Sequence, residues 1–584
     1  LKRRLSWKHK IVMRRRFIGI AGSLTFFLGV LSPARAQDAT PQPQPDPPPF
    51  SLPFTDPPGP NTWLYEQHYG NTTSAFNYGE AWYAAGQGMH FGIDFEAMCG
   101  TPVHASADRV VRYVDADGFG AGPHNLILEH PGTGYTSLYG HLAQVPQLAR
   151  GQVVRRGEQI GVSGDPDGSC ESRPHLHLEI RNEDFTVAYN PIPFFDVNWH
   201  MLTSIGPVGN AFQQDLDHPY QWMKLEDQPA ITFGQDYLND YIHPWPPRVE
   251  QIPPYNPPIM RRLEPVSADT AVVQTAVSTE AWNIGAWWRP TDSEAVYVVD
   301  TVPNQDPPSG VFRQPLDGSA RTYEEPTPPT LYSPAGDVQV ERNADGSFQI
   351  TRLADLQTWT VYTEGSYPAV SPDGTRLLWQ VVYGEVTPGT DAPGVVFWVS
   401  NLDGTIQRRV HTQAGGYGMW LDSRHLLFVK RITYTAETQL FVLDIDDPAV
   451  TPYMLGSFRY LRGLQVAPGG QRIAFFVSFQ DNPDASGVYV LPVREGAAAK
   501  QLPFWGAFHW RDDRSLYTLS FDPESDLHSL SVYDLTTNKL IPLTDPDTLP
   551  IRVANGEWSV SSDGTKIVYV DPVDYGLYLL TVGE

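Results

Sequence analysis

Apolar and polar residues alternate along most of this chain in short runs, and no stretch carries a long amphipathic helical pattern. From about 62 to 195 the runs "RVVRYVDA", "HNLILEH" and "TSLYGHL" are punctuated by glycine, which predicts antiparallel strands. After about 265 a unit recurs in which a turn signal precedes an apolar run: "RPTDSEAVYVV", "SPAGDVQVER", "SPDGTRLLWQ", "LDSRHLLFVK", "APGGQRIAFF", "RDDRSLYTLS" and "SSDGTKIVYV". Their first apolar residues are Val296, Val338, Leu377, Leu426, Ile473, Leu516 and Ile567, in steps of 42, 39, 49, 47, 43 and 51 residues. A period in the forties with several strands per unit predicts a β-propeller, so the fold class is all-β. The second unit is the least regular, and six or seven blades both fit. Closing the ring needs a strand from outside the last unit, for which residues 268–280 are the candidate.

Composition adds three constraints. The 584 residues carry a net charge of −25, and the first 36 hold nine Lys/Arg and no acid, leaving the rest at −34. So acidic a body repels nucleic acid and anionic membrane, and neither is expected as a partner. Those first 36 residues have the build of a signal peptide: a basic region ending "MRRRF", an apolar core from Phe17 to Leu31, and "ARA" before Gln37. The core is short for a membrane span, so no integral membrane segment is expected once the signal is removed. Met13 is a candidate start, and Arg14-Arg15-Arg16-Phe17-Ile18 resembles a twin-arginine signal without its flanking Ser/Thr and Lys, which leaves Sec and twin-arginine export open. Residues 37–60 are Pro-rich and read as an extended spacer, and a second Pro-rich stretch ends a mixed connector over 196–265. The chain has two cysteines, Cys99 and Cys170, which fit either one disulfide or two buried thiols.

Chemistry concentrates in "PHLHLEIR". On a strand His175 and His177 share one face while Leu176 and Leu178 take the other. An H-x-H pair alone is more often a solvated strand face than a metal site. Upstream, "MHFGIDF" supplies His90 and Asp94 around Gly92, and the two can converge on one ion if the segment bends at the glycine. His90, Asp94 and His177 would make three protein ligands with one position open, the pattern of a catalytic rather than a structural zinc site. His141, at the end of "YTSLYGHL", is placed to orient or deprotonate a bound water or to stabilise an oxyanion. His104, His124 and His130 read as strand or loop residues. Neither H-E-x-x-H nor G-x-S-x-G occurs.

The order "HFGIDF … YTSLYGHL … GVSG … RPHLHLEIR" resembles the LytM/lysostaphin-type zinc metalloendopeptidases, which cleave peptide bonds in peptidoglycan. The resemblance covers roughly 85–192 and implies one Zn2+ on His90, Asp94 and His177, with His141 and His175 assisting catalysis. It departs where that family usually reads "TG.STGPHLH" and this chain reads "GDPDGSCESRPHLH". Cys170 lies in the altered segment and Cys99 lies five residues after Asp94, so a Cys99–Cys170 bridge would tie two walls of the site together. The "SPDG" blade turns resemble those of TolB-type propellers.

The organisation expected is therefore a signal peptide (1–36), a Pro-rich spacer (37–60), a LytM-like zinc metallopeptidase domain (61–195), a connector (196–265) and a TolB-like propeller (266–584). The function implied is an exported zinc metalloendopeptidase, periplasmic, cell-wall-associated or extracellular, that acts on peptidoglycan peptides. The propeller would bind substrate or a protein partner. Two other readings are a non-catalytic wall-binding or hydrolase-activating protein and an adaptor centred on the propeller. Domains of this type that are inactive typically lose ligands or assisting histidines, and here all five positions are filled.

Overall fold

The structure is a computed structural model that describes residues 43–205 except 73 and 76–82. It also describes 213–214, 222–223, 225–226 and 228–235, and then 263–583 except 264–265, 280–282, 301–309, 326–329, 365, 384–393, 433–434, 448–450 and 555–556. The expected signal peptide, the start of the spacer and the connector between 236 and 262 lie outside the described residues. Among the described residues no helix is long and apolar enough to cross a membrane.

Beside two two-stranded sheets, the described residues before 233 build one antiparallel sheet of nine strands, seven of them on its main path. Those seven run in the spatial order Trp63–Gln67, Ile93–Ala97, His175–Asn182, Tyr135–Leu142, His124–His130, Arg109–Val114 and Val153–Val154. Alternation decides what each face does. On the central strand Leu176, Leu178 and Ile180 enter a core with Ile93, Phe95, Leu126, Leu128 and Tyr139, as the apolar positions of those strands require. His175, His177, Glu179 and Arg181 take the other face, and all four are buried there. A disulfide joins Cys99 to Cys170, with the Cα atoms 5.7 Å apart.

The later part of the Pro-rich segment is not a free spacer. Phe50 and Phe54 belong to the core, and Phe50 N–H donates to the Phe194 carbonyl at 3.0 Å. Proline removes periodicity from the sequence, yet the two aromatics still drive the segment onto the sheet.

The second half forms seven four-stranded antiparallel sheets. All seven repeat residues from Val296 to Ile567 fall on the second strand of their blade. The turns show why "S-P-D-G" recurs. Ser371 Oγ accepts from Arg376 N–H and donates to Asp373, while Gly374 takes a φ of 67° that L side chains rarely adopt. Ser561, Asp563 and Gly564 repeat the arrangement one turn before the last blade's second strand. Closure comes from Val272–Ser278, which pairs with Leu577–Val582 as the outermost strand of the seventh blade, the segment expected from the sequence.

The two parts pack against each other. On Trp63–Gln67, Trp63 and Tyr65 face the first core, whereas Leu64 joins a propeller cluster with Ile205, Tyr460 and Phe479. Arg462 of the fifth blade lies 2.6 Å from Glu96, and Phe479 N–H donates to the Pro60 carbonyl at 2.7 Å.

Candidate metal centre and its surroundings

Strand register brings the singled-out residues together. Asp94 pairs with His177, Glu96 with His175, and Gly140 with His177 across three adjacent strands. His90 lies just before its strand, bridged to Gly70, and the chain bends at Gly92 before Asp94. Gly92 has a second role that the spacing did not suggest. A Cβ there would stand 2.7 Å from His177 Cε1 and from the Leu178 carbonyl oxygen, so only glycine lets the imidazole lie over this bend. Gly140 is similarly constrained, since a Cβ would meet that of Ala121 at 2.6 Å.

Three donor atoms converge. Asp94 Oδ1 is 2.7 Å from His177 Nδ1 and 3.3 Å from His90 Nε2, and the two nitrogens are 3.2 Å apart. Tetrahedral zinc with bonds near 2.05 Å has ligand-to-ligand edges of about 3.3 Å, so the triangle fits one face of such a site. His90, Asp94 and His177 are all buried, and among the described residues they form the single His/Cys/Asp/Glu group of metal-binding compactness.

Hydrogen bonds behind the rings decide which nitrogens point inward. His90 Nδ1 donates to the His68 carbonyl at 2.6 Å, His175 Nδ1 to the Arg173 carbonyl at 2.8 Å, and His141 Nδ1 to the Gly122 carbonyl. Each therefore presents an unprotonated Nε2 to the site. His177 is turned the other way: its Nε2 faces Glu179 Oε1 at 3.3 Å, an ion-pair contact rather than a well-aligned hydrogen bond, leaving Nδ1 for the centre. Glu179 is itself held by Arg181, whose guanidinium lies over Phe233 at 4.5 Å and Phe119 at 5.3 Å. Sequence reasoning did not reach Glu179 and Arg181. The signal was present, because the same two-residue alternation that pairs His175 with His177 continues through both.

His141 and His175 flank the donors, with ring centroids 4.7 Å apart, and His175 Nε2 is 3.7 Å from Asp94 Oδ2. His141 sits at φ 55°, a left-handed conformation costing of order 1 kcal/mol for a non-glycine residue. That turn is what brings its ring from the strand end towards His175.

The electrostatics follow from burial and crowding. Burial would raise the Asp94 carboxyl, but His90, His175 and His177 outweigh it and hold it well below the usual carboxylate range. Burial pushes His175 down against the pull of Asp94. It pushes His141 well down, helped by His175 and His177. His177 goes the other way: burial lowers it, yet Asp94 and Glu179 together raise it to about 9. His104, His124 and His130 lie outside the cluster. His130 is buried and bonds Ser137 Oγ at 2.9 Å, and His124 pairs with Asp115 at 3.0 Å.

Residues 88–191 match Peptidase family M23. DD-carboxypeptidase/endopeptidase Mpg of Neisseria meningitidis serogroup B is 42% identical over 93 residues, which is 16% of this chain and 20% of that protein. Peptidoglycan DD-endopeptidase ShyA of Vibrio cholerae is 34% identical over 116 residues, 20% of this chain and 24% of that one. Glycyl-glycine endopeptidase ALE-1 of Staphylococcus capitis is 30% identical over 182 residues, 30% of this chain and 47% of that one. The chain thus spans less than half the length of each of these relatives. Among solved structures, the β-propeller domain of the Trilobed protease from Pyrococcus furiosus aligns over 52% of this chain and 94% of that one, at 14% identity and a TM-score of 0.36. The chain therefore carries a peptidase domain of family M23, followed by a seven-bladed β-propeller.

Proposed function

We propose that the chain is an exported zinc metalloendopeptidase that hydrolyses peptide bonds in peptidoglycan cross-links or stem peptides, with the propeller binding substrate or a partner. The observation that carries this reading is the convergence of His90 Nε2, Asp94 Oδ1 and His177 Nδ1 within 3.3 Å of one another, beside two further imidazoles. These three residues would hold the ion. Zinc in such a donor set supplies Lewis acidity and a water deprotonated near neutral pH.

His141 and His175 have the proton work. Each has Nδ1 bonded to a backbone carbonyl, so each exchanges protons at Nε2, the atom that faces the site. One imidazole takes up the proton of the attacking water at Nε2 and passes it to the leaving amine; the other accepts a hydrogen bond from that water at its unprotonated Nε2 and orients it. Their depressed basicity keeps both neutral, and able to accept, at neutral pH. Peptide hydrolysis as the reaction, and peptidoglycan as its source, rest on the family match and on relatives named as peptidoglycan endopeptidases. Export is supported by the character of residues 1–36 and by a disulfide, which persists in oxidising compartments.

The test is incubation of zinc-loaded protein with purified peptidoglycan, followed by mass spectrometry of the released muropeptides. New peptide termini are expected, and their masses identify the bond. Intact material, or cuts in the glycan strand alone, would overturn the reading.

A further inference from the structure

Residues 228–233 lie beyond the stretch that matches the peptidase family, inside the expected connector, yet they fold back onto the peptidase sheet. Ile231–Thr232 is a short strand paired with Val187–Tyr189, which pairs in turn with the end of His175–Asn182. Tyr69 Oη takes the Ile231 N–H and donates to the Ala188 carbonyl, both at 2.9 Å, and the Gln87 amide donates to the Thr232 carbonyl at 2.9 Å. From the propeller, Tyr575 of the seventh blade donates to Glu226 Oε1 at 2.7 Å, so the strap is also held where it arrives. Gln228 and Ile231 are fully buried.

The two ends of this strap reach the supports of two different metal-ligand candidates. Gln228 meets the loop that grips His90. In that grip His90 Nδ1 donates to the His68 carbonyl at 2.6 Å, His90 N–H to the Gly70 carbonyl at 2.9 Å, and Gly70 N–H to the His90 carbonyl at 2.6 Å. Gln228 Oε1 accepts from Asn71 N–H at 3.0 Å, and its side chain lies flat on Gly70. A Cβ at Gly70 would stand 2.5 Å from Gln228 Oε1 and 2.8 Å from Gln228 Cβ. Phe233 meets the support of His177. Its ring lies 4.5 Å from the guanidinium of Arg181, which holds Glu179 behind His177 Nε2. It also lies 5.6 Å from the ring of Phe91, which itself meets the His177 ring edge-on at 5.6 Å.

We propose that Gln228 and Phe233 are positioning residues of the metal centre, Gln228 fixing His90 and Phe233 fixing His177. A donor triangle with edges of 2.7, 3.2 and 3.3 Å leaves little room for drift. Metal–ligand distances must fall within about 0.2 Å of their preferred values, so a loop or ring free to shift further loses affinity. Neither residue offers a donor atom of its own, and both act through the groups that hold the ligands. The segment matching the family therefore lacks, by itself, two supports of its own metal site. This inference rests on His90, Asp94 and His177 being the ligands, as the proposed function has them, and not on the reaction.

The experiment is titration of the metal-free full chain with Zn2+ against a chromophoric chelator at neutral pH, with melting temperatures measured in parallel. Gln228→Met keeps the bulk of the side chain but takes this acceptor from Asn71 N–H, and Phe233→Leu removes the ring beside Arg181. Each is expected to weaken zinc binding about 10- to 100-fold and to shift the visible bands of the Co2+-substituted chain, while Phe233→Tyr stays near the wild type. Phe50→Leu controls for lost stability alone, because its ring contacts are with His130, Phe194 and Phe195. It should lower the melting temperature and leave zinc affinity unchanged. Wild-type zinc affinity in Gln228→Met or in Phe233→Leu, or an equal loss in Phe50→Leu, overturns the proposal. Muropeptide release is measured separately: a wild type that binds zinc and releases nothing removes the peptidase reading and leaves both positioning roles standing.

Discussion

His177 and His141 are neighbours with opposite commitments, and the difference can be read out residue by residue. His177 places Nδ1 among the donors and Nε2 against Glu179, so His177→Ala removes a donor and leaves the buried Glu179 to Arg181 alone. It is expected to lose both bound zinc and muropeptide release. His141 contributes none of the three donor atoms, so His141→Ala should retain about one zinc per chain and lose about 10²–10⁴ in rate. Metal quantification beside a release assay distinguishes the two, and full hydrolysis by His177→Ala would remove the assignment. His130 makes a separate prediction about acid. Its ring packs 4.6 Å from Phe50, and burial, then Arg109, depress it to about 2 in the folded chain. The unfolded chain, titrating near 6.5, takes up the proton first. The His130 contribution is thus complete above pH 6.5 and falls by about 1.4 kcal/mol per pH unit below it. Between pH 6.5 and 5 the wild type should lose about 2 kcal/mol more in urea unfolding than His130→Asn. Equal losses would show that another group governs the acid limb.

At the scale of elements, the disulfide and the strand it supports behave as one device. Cys99 follows the Asp94 strand and Cys170 lies in the segment leading to His175, so the bridge closes the 71-residue loop that runs from one to the other. Loop closure of that size is worth about 4 kcal/mol on chain-entropy grounds. Reduction, or Cys99→Ser with Cys170→Ser, should therefore lower the peptidase domain's melting temperature by several degrees and weaken zinc retention, both measurable in one thermal and metal-content series. An unchanged melting point after confirmed reduction would count against the bridge. The same scale shows what could be read in advance. Alternation in "PHLHLEIR" placed both histidines on one face because a period of two is a local property of the strand. Gly92 signalled a bend for the same reason. That the His177 ring packs over Gly92, where any Cβ would stand 2.7 Å from its Cε1, was not legible, since it depends on register between strands more than 80 residues apart. Phe50 and Phe54 were hidden by the prolines around them, which carry no periodicity to follow.

For the whole molecule, the propeller was legible because each blade is a stack of local hairpins whose turn chemistry repeats; the seven aligned turns left six or seven blades open, and the structure has seven. Docking of the two parts was not, because its contacts join residues some hundreds of positions apart with no pattern in either segment. Leu64 shows this best: its neighbours Trp63 and Tyr65 fit an ordinary half-buried strand, but it is buried only because the propeller covers it. The Glu96–Arg462 pair sits in that junction with side chains 15% and 10% exposed, so water screens it weakly. Breaking it from one side leaves a largely buried charge without its counter-ion. Removing it from both sides leaves two neutral groups. Glu96→Gln and Arg462→Met should therefore each destabilise the chain by about 2–3 kcal/mol, while the double variant falls well short of their sum. A coupling of about 1–3 kcal/mol from the four-protein cycle is the expected result, read from urea unfolding at fixed pH and salt. Additivity within about 0.5 kcal/mol would mean that the two parts are held by their apolar contacts, and that blade five only rests against the peptidase.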